Sequence, residues 1–294
     1  MPLPNSWQFE AIGTNWTIQS DQSITAEIKI EIEKLVEAFN ANYSRFSPDS
    51  IVRRMYDEPG RYTFSESHFP ELYGLYVKLN QLTEGSVTPL VGNSLVQAGY
   101  DEHYKLDSFS KINTVIPLEN IQWDGAYSIT TNSQELLDFG AAAKGLLVDQ
   151  MSVVLEQSYI LEWFIDGSGD SMNHAASSYT VGFEHPLDTT KLLGTVELLN
   201  ESVCASATNR RAWKNGHHVI DGKSGQPTRD IIATWAIADS TMLADGLATA
   251  LFFEWNELVS AYPEGAFLRM KSNGTIEMNQ KMKERITLFN SSDL

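Results

Sequence analysis

Asp245 and Thr249 lie four residues apart in Ser240-Thr-Met-Leu-Ala-Asp-Gly-Leu-Ala-Thr-Ala-Leu-Phe-Phe253. Leu243, Leu247, Ala250 and Leu251 recur there at helical spacing, which predicts a buried amphipathic helix. On that helix the Asp245 carboxylate and the Thr249 hydroxyl share one face, half of a hard-oxygen site for Mg²⁺. The pair also has a structural reading, in which Asp favours the helix dipole and Thr bonds back to a carbonyl. Asp138-Phe-Gly-Ala-Ala-Ala-Lys-Gly145 crowds small residues at a second helix start, with Lys144 in the first turn, where a cation opposes the dipole. Either Lys144 is a solvated side chain on a tightly packed helix, or it is a cation placed for an anionic ligand at the helix N-terminus. His217-His218-Val-Ile-Asp221-Gly-Lys-Ser-Gly225-Gln-Pro227 reads as a short strand running into a turn. Histidine near a carboxylate is the usual general base near neutral pH, and in an extended strand only one of two adjacent histidines can face a cleft.

Two nucleotide motifs fail on inspection. Gly222-Lys223-Ser224 ends like a phosphate-binding loop, but His217 stands where its first Gly is needed and Pro227 follows closely. Gly167-Ser168-Gly169 begins a dinucleotide fingerprint whose third Gly position holds Met172.

The elements that must position these groups sit in a chain of 294 residues, 42% hydrophobic and 20% charged, an ordinary globular composition with room for a real core. The formal net charge of -17 excludes nucleic acid and anionic lipid as main partners, and means that an anionic nucleotide needs a local cation. The lone Cys204 excludes an intramolecular disulfide and a Cys-rich metal site. No apolar run reaches the ~18 residues of a membrane span. With no basic and apolar leader at Met1, the chain as written is expected in the cytoplasm, and in the periplasm if an export signal was removed.

Along the chain, strand is predicted from Gln8 to Ser20 with a break at Gly13. Helices are predicted over Ile24 to Phe39, over Leu72 to Leu82 ending at Gly85, after Gly140 as far as Leu155, and over Ser240 to Phe253. Asn40 to Asp49 reads as a polar and aromatic stretch closing in a turn. Further strands are expected at Ile112 to Leu118, Ala126 to Thr131, Ile160 to Ile165, Tyr179 to Phe183, Leu193 to Leu199 and Ile231 to Ala238, and near 266–270, 275–278 and 285–290. Ser202-Val-Cys-Ala-Ser206 is strand-like. The uneven grouping of strands and helices predicts an α+β fold.

Taken together, the segments resemble the FAD:protein FMN transferases of the ApbE family. That family's Asp-Leu-Gly-(Gly/Ala)-Ile-Ala-Lys-Gly…Asp resembles Asp138 to Gly145 followed by Asp149. Its Asn-x-Gly-Gly-Asp resembles Asp166-Gly-Ser-Gly-Asp170, and its Ser-Val-Ala-Thr-Ser-Gly resembles Ser202-Val-Cys-Ala-Ser-Ala207. Its His-Ile-Ile-Asp-Pro-x-Thr-Gly-x-Pro resembles His218 to Pro227, and its Ala-Asp-Ala-Leu-Ala-Thr-Ala resembles Ala244 to Ala250. Order and rough spacing hold across all five. There are departures: Glu84 stands for a ligand-contacting Asp, Asp166 for an Asn, Gly222 for a Pro and Ala207 for a Gly.

The resemblance implies mixed, largely antiparallel sheets with packed helices, as one domain over 1–294 or two lobes around a central FAD cleft. It implies Mg²⁺ held by Asp245, Thr249 and the Ala141 carbonyl. FAD, the substrate, would lie against Ile12-Gly13-Thr14 and Ser44-Arg45-Phe46, with Phe46 at an aromatic position and Glu84, Lys144, Ser206 and Asp221 around it. His218 would be the base. The chemistry implied is attack by a Thr or Ser hydroxyl of an acceptor flavoprotein on the FMN phosphorus, with AMP leaving. Hydrolysis of FAD to FMN and AMP, or flavin binding without turnover, are the alternatives.

Overall fold

A computed structural model of the chain describes residues 3–100, 115–213 and 216–289. Its N-terminal hairpin pairs Asn5–Ala11 with Thr14–Ser20 through a two-residue turn in which Ile12 and Gly13 both take left-handed backbone (φ 45° and 75°). Such turns match the twist of the flanking strands, and Gly13 adopts one freely where a β-branched residue does not. The predicted break at Gly13 is this turn.

The hairpin opens an eight-stranded antiparallel sheet that continues through Trp163–Asp166, Asp170–His174, Ser202–Ala207, Ile231–Ala238, Ala266–Lys271 and Ile276–Met278. The helices Ala26–Tyr43, Phe69–Leu82, Ala143–Gln157 and Thr241–Ala250 contribute to the main core with residues from the sheet such as Trp163, Ile165, Cys204 and Ala236. The alternate positions of the central strands, Val203, Trp235 and Ile237, join a second core with the small sheet of Tyr179–His185, Asp188–Leu198 and Thr287–Leu288, where Trp235 stacks on Phe183 at 5.4 Å. Period-two alternation thus sends one strand's side chains into two cores. The α+β expectation holds, with antiparallel sheets and packed helices.

Several boundaries differ for visible reasons. The first helix runs on to Tyr43, so Asn40 to Tyr43 is helical, and a further helix, Ile51–Asp57, follows the Ser-Pro-Asp-Ser turn, with Ser50 capping it through Arg53 N–H. The expected strand at Ile112 to Leu118 lies outside the described residues as far as 114. Beyond that, Pro117 has no N–H to give a ladder, and Leu118–Asn120 forms a 3-10 turn. The strand expected from Ile160 starts at Trp163, because the preceding helix ends with Tyr159 at φ 59° and Ile160 N–H still bonded to Leu155 O at 3.0 Å. The strand near 285–290 shortens to Thr287–Leu288.

Candidate active site

The Ala143–Gln157 and Thr241–Ala250 helices meet with almost no space between them. A Cβ on Gly145 would fall 2.2 Å from Thr241 O and 2.8 Å from Met242 Cα, so only glycine permits the approach. Asp149, one turn further on, places its carboxylate over the other helix's start and accepts from Thr241 N–H (2.7 Å) and Met242 N–H (2.9 Å). Ser240 Oγ accepts from Leu243 N–H, so three N–H groups that a helix start leaves unpaired are satisfied. Gly145 N–H in turn donates to Asp245 Oδ2 at 3.0 Å.

That junction aims the chemistry into a cavity of about 510 Å³, ordinary for a small-molecule site. On one wall stand Asp245, Thr249, Ala141 and Lys144. Thr249 Oγ1 sits 3.4 Å from the Ala141 carbonyl oxygen, and Ala141 N–H is held by the Tyr76 hydroxyl at 3.0 Å. Lys144 Nζ is paired with Asp170 Oδ2. Burial pushes the Asp245 carboxyl well above its ordinary value, and the Asp170 charge adds to this. Burial disfavours the Lys144 ammonium, but the Asp170 and Asp245 carboxylates outweigh it and hold its pKa up. A divalent cation beside Asp245 would oppose the upward shift of its carboxyl and favour the ionised form. Among the described residues no group of three or more His, Cys, Asp or Glu is placed to hold a metal. The Thr249 hydroxyl and the Ala141 carbonyl, in contact, and the Asp245 carboxylate on the same cavity are the donor types a hard ion such as Mg²⁺ takes, its shell completed by water and phosphate oxygens.

Ile12, Phe46, Ser206 and His218 line the rest of the cavity. The two histidines part company. His217 Nε2–H donates to Thr228 O at 2.7 Å and its Nδ1 accepts from Val219 N–H, which makes it a turn brace. His218 lines the cavity with Nδ1 buried and without a partner among the described residues. Burial, then the Arg211 and His217 charges, bring its pKa down to about 3, so the imidazole is neutral.

Glu84 and Asp221 are not among the residues lining this cavity. Glu84 ends the Phe69–Leu82 helix in left-handed backbone (φ 51°), its side chain 86% exposed and 3.8 Å from Lys223 Nζ. Asp221 folds back to accept from Lys223 N–H and Ser224 Oγ, capping its own turn. Asp166 likewise serves a turn, accepting from Gly169 N–H and Ser171 Oγ at 3.0 Å each. Gly222 donates its N–H to Ser86 O at 2.8 Å, a bond that proline could not make, and a Cβ there would lie 2.4 Å from Gly85 O.

The profile of the ApbE family matches residues 12–264. The chain belongs to the ApbE family. Relatives named FAD:protein FMN transferase include those of Klebsiella pneumoniae (strain 342), 29% identical over 122 residues, and Rhodobacter capsulatus, 25% over 169 residues. These matches cover 40% and 53% of this chain, and only 38% and 32% of the relatives' own lengths. A third, from Buchnera aphidicola, is 20% identical over 285 residues, covering 90% of this chain and 82% of that protein. The flavin transferase ApbE of Vibrio cholerae superposes with a TM-score of 0.80 at 18% identity, covering 96% of this chain and 99% of that one. The ApbE protein of Thermotoga maritima gives 0.81 at 20%, covering 95% and 98%. At such identities the likeness is one of fold.

The ApbE-family cavity also contains Arg45, Asp138, Asp170 and Arg211, to which the sequence reading gave no individual role. The signals were present: Asp170 closes the Asp166-Gly-Ser-Gly motif, and the Arg210-Arg211 pair stands out in a chain of net charge -17.

Proposed function

We propose that this chain transfers the FMN moiety of FAD to a Thr or Ser hydroxyl of an acceptor protein and releases AMP, with Mg²⁺ held by Asp245, Thr249 and the Ala141 carbonyl. The observation that carries the reading is that those three residues line one cavity with Lys144 and His218, beside a helix junction whose close approach Gly145 permits and whose start Asp149 caps. The bond that forms is between the acceptor oxygen and the FMN phosphorus. The bond that breaks joins the FMN phosphorus to the bridging oxygen of the pyrophosphate, and AMP leaves with that oxygen and the electron pair. Mg²⁺, when bound, supplies charge neutralisation at the phosphates, the main requirement of phosphoryl transfer. Lys144, kept protonated by Asp170 and Asp245, stands on the same wall as a second cation. His218 is neutral and has an unpartnered ring nitrogen, so it is in the right state to accept the hydroxyl proton, and the arrival of phosphate charge raises its basicity.

The test is to combine the protein with FAD, Mg²⁺ and a candidate acceptor, and to follow AMP together with the mass of the acceptor. AMP with an acceptor heavier by one FMN supports the proposal. AMP with free FMN identifies a hydrolase, and FAD bound but intact identifies a carrier. Asp245→Ala should stop AMP release while leaving a cooperatively unfolding protein.

A further inference from the structure

Arg45 carries a buried donor that the fold does not use. Its side chain is only 3% exposed. Nε donates to Asp138 Oδ2 at 2.6 Å and Nη1 to the Tyr100 carbonyl at 2.8 Å, while Nη2 is buried with no partner among the described residues. Buried guanidinium donors are nearly always satisfied, so an orphan on a cavity wall points to an acceptor that a ligand brings. The group cannot turn away to find another. Two hydrogen bonds pin it, and its Cζ lies 4.1 Å from the Phe46 ring centroid and 4.6 Å from that of Tyr100.

The surroundings narrow the ligand's chemistry. Leu95, Tyr100 and Ile220 form a small apolar cluster, with Phe46 and Val91 packed against it. The Arg45 charge is already met by Asp138, so Nη2 presents a directional donor more than a net charge. An apolar, aromatic-walled slot with one fixed N–H suits a flat heteroaromatic ring bearing an acceptor on its edge better than it suits a phosphate. Asp138 also ties Arg45 to the segment before Ala141, since its Oδ1 accepts from Gly140 N–H.

We propose that Arg45 reads the bound nucleotide, its Nη2 donating to a carbonyl oxygen or ring nitrogen on the edge of a planar heteroaromatic ring. This rests on the FAD reading above, and FAD offers two such rings, the isoalloxazine and the adenine. The experiment is equilibrium binding of FAD, FMN and ADP, without acceptor and in excess chelator, to the wild type and to Arg45→Lys. Lysine keeps a cation for Asp138 but loses the fork. FAD affinity should fall about 10- to 100-fold, the loss of one hydrogen bond to a charged group. FMN or ADP should fall with it while the other is unchanged, which names the ring. Wild-type FAD affinity in Arg45→Lys overturns the assignment, as does an equal loss for both fragments. A wild-type protein that does not bind FAD overturns the functional reading instead. If the variant does not fold, the guanidinium resonances of ¹⁵N-arginine wild-type protein decide: one buried Nη group should shift on FAD addition, and no shift refutes the proposal.

Discussion

Gly145→Ala tests the helix junction by the sign of its effect. In an exposed helix interior the change stabilises by about 0.5–1 kcal/mol, because alanine is the better helix former. Here the new methyl would sit 2.2 Å from Thr241 O, against backbone that cannot rotate away. Ordinary contact begins near 3.4 Å, so the helices must part by about 1.2 Å, the difference between the two. Overpacking of this kind costs about 1–3 kcal/mol, which outweighs the propensity gain. Net destabilisation of about 1–2 kcal/mol, or about 2–4 °C in Tm, is expected. The same displacement pulls Gly145 N–H from Asp245 Oδ2 and moves Asp245 relative to Ala141, so turnover should fall about 100-fold, as misplacements near 1 Å do. Urea denaturation followed by far-UV circular dichroism, with AMP release measured across a Mg²⁺ titration, reads both effects. A variant more stable than wild type, with unchanged Mg²⁺ dependence, would refute the account of the junction.

Asp149→Ala leaves Thr241 and Met242 N–H without their acceptor and should cost about 2–4 kcal/mol by denaturant unfolding; a loss below 0.5 kcal/mol would show that water replaces it. With its pKa near 3, His218 should show no NMR titration between pH 5 and 8 in the ligand-free protein, and kcat/KM should show no inflection near 6.5 from this residue. Because the folded pKa is the lower one, its contribution to stability is complete above about pH 6.5 and is lost as pH falls toward 3. His218→Ala should lower kcat about 10²–10⁴-fold with little change in FAD binding, and His217→Ala should do much less. Ile12→Asn should relax a β-branched residue held at φ 45° and hold or raise Tm, while the lost apolar wall weakens FAD binding in a fluorescence titration; an unchanged FAD affinity would remove Ile12 from the site.

The features legible without the fold are those that depend on local pattern. Helical spacing placed Asp245 and Thr249 on one face, and in the structure both line the cavity, Asp245 buried and Thr249 half-buried. Small residues around Lys144 were compatible with the close helix contact that the structure shows, and strand alternation set His217 and His218 on opposite faces, the family resemblance selecting His218. What sequence could not supply was the partner of each group. That Asp149 caps a helix starting at Thr241, that Asp170 pairs with Lys144, and that Ala141 offers its carbonyl to Thr249 depend on segments up to 108 residues apart. Glu84 and Asp221 show the same limit from the other side. Both have side chains suited to a binding site. Left-handed backbone turns Glu84 to solvent and a tight turn claims Asp221, because side-chain direction follows the backbone on which the residue is carried. Burial also belongs to the tertiary structure: it is the main reason His218 passes from an ordinary imidazole to one neutral down to about pH 3, since desolvation comes from the packing of distant residues around it.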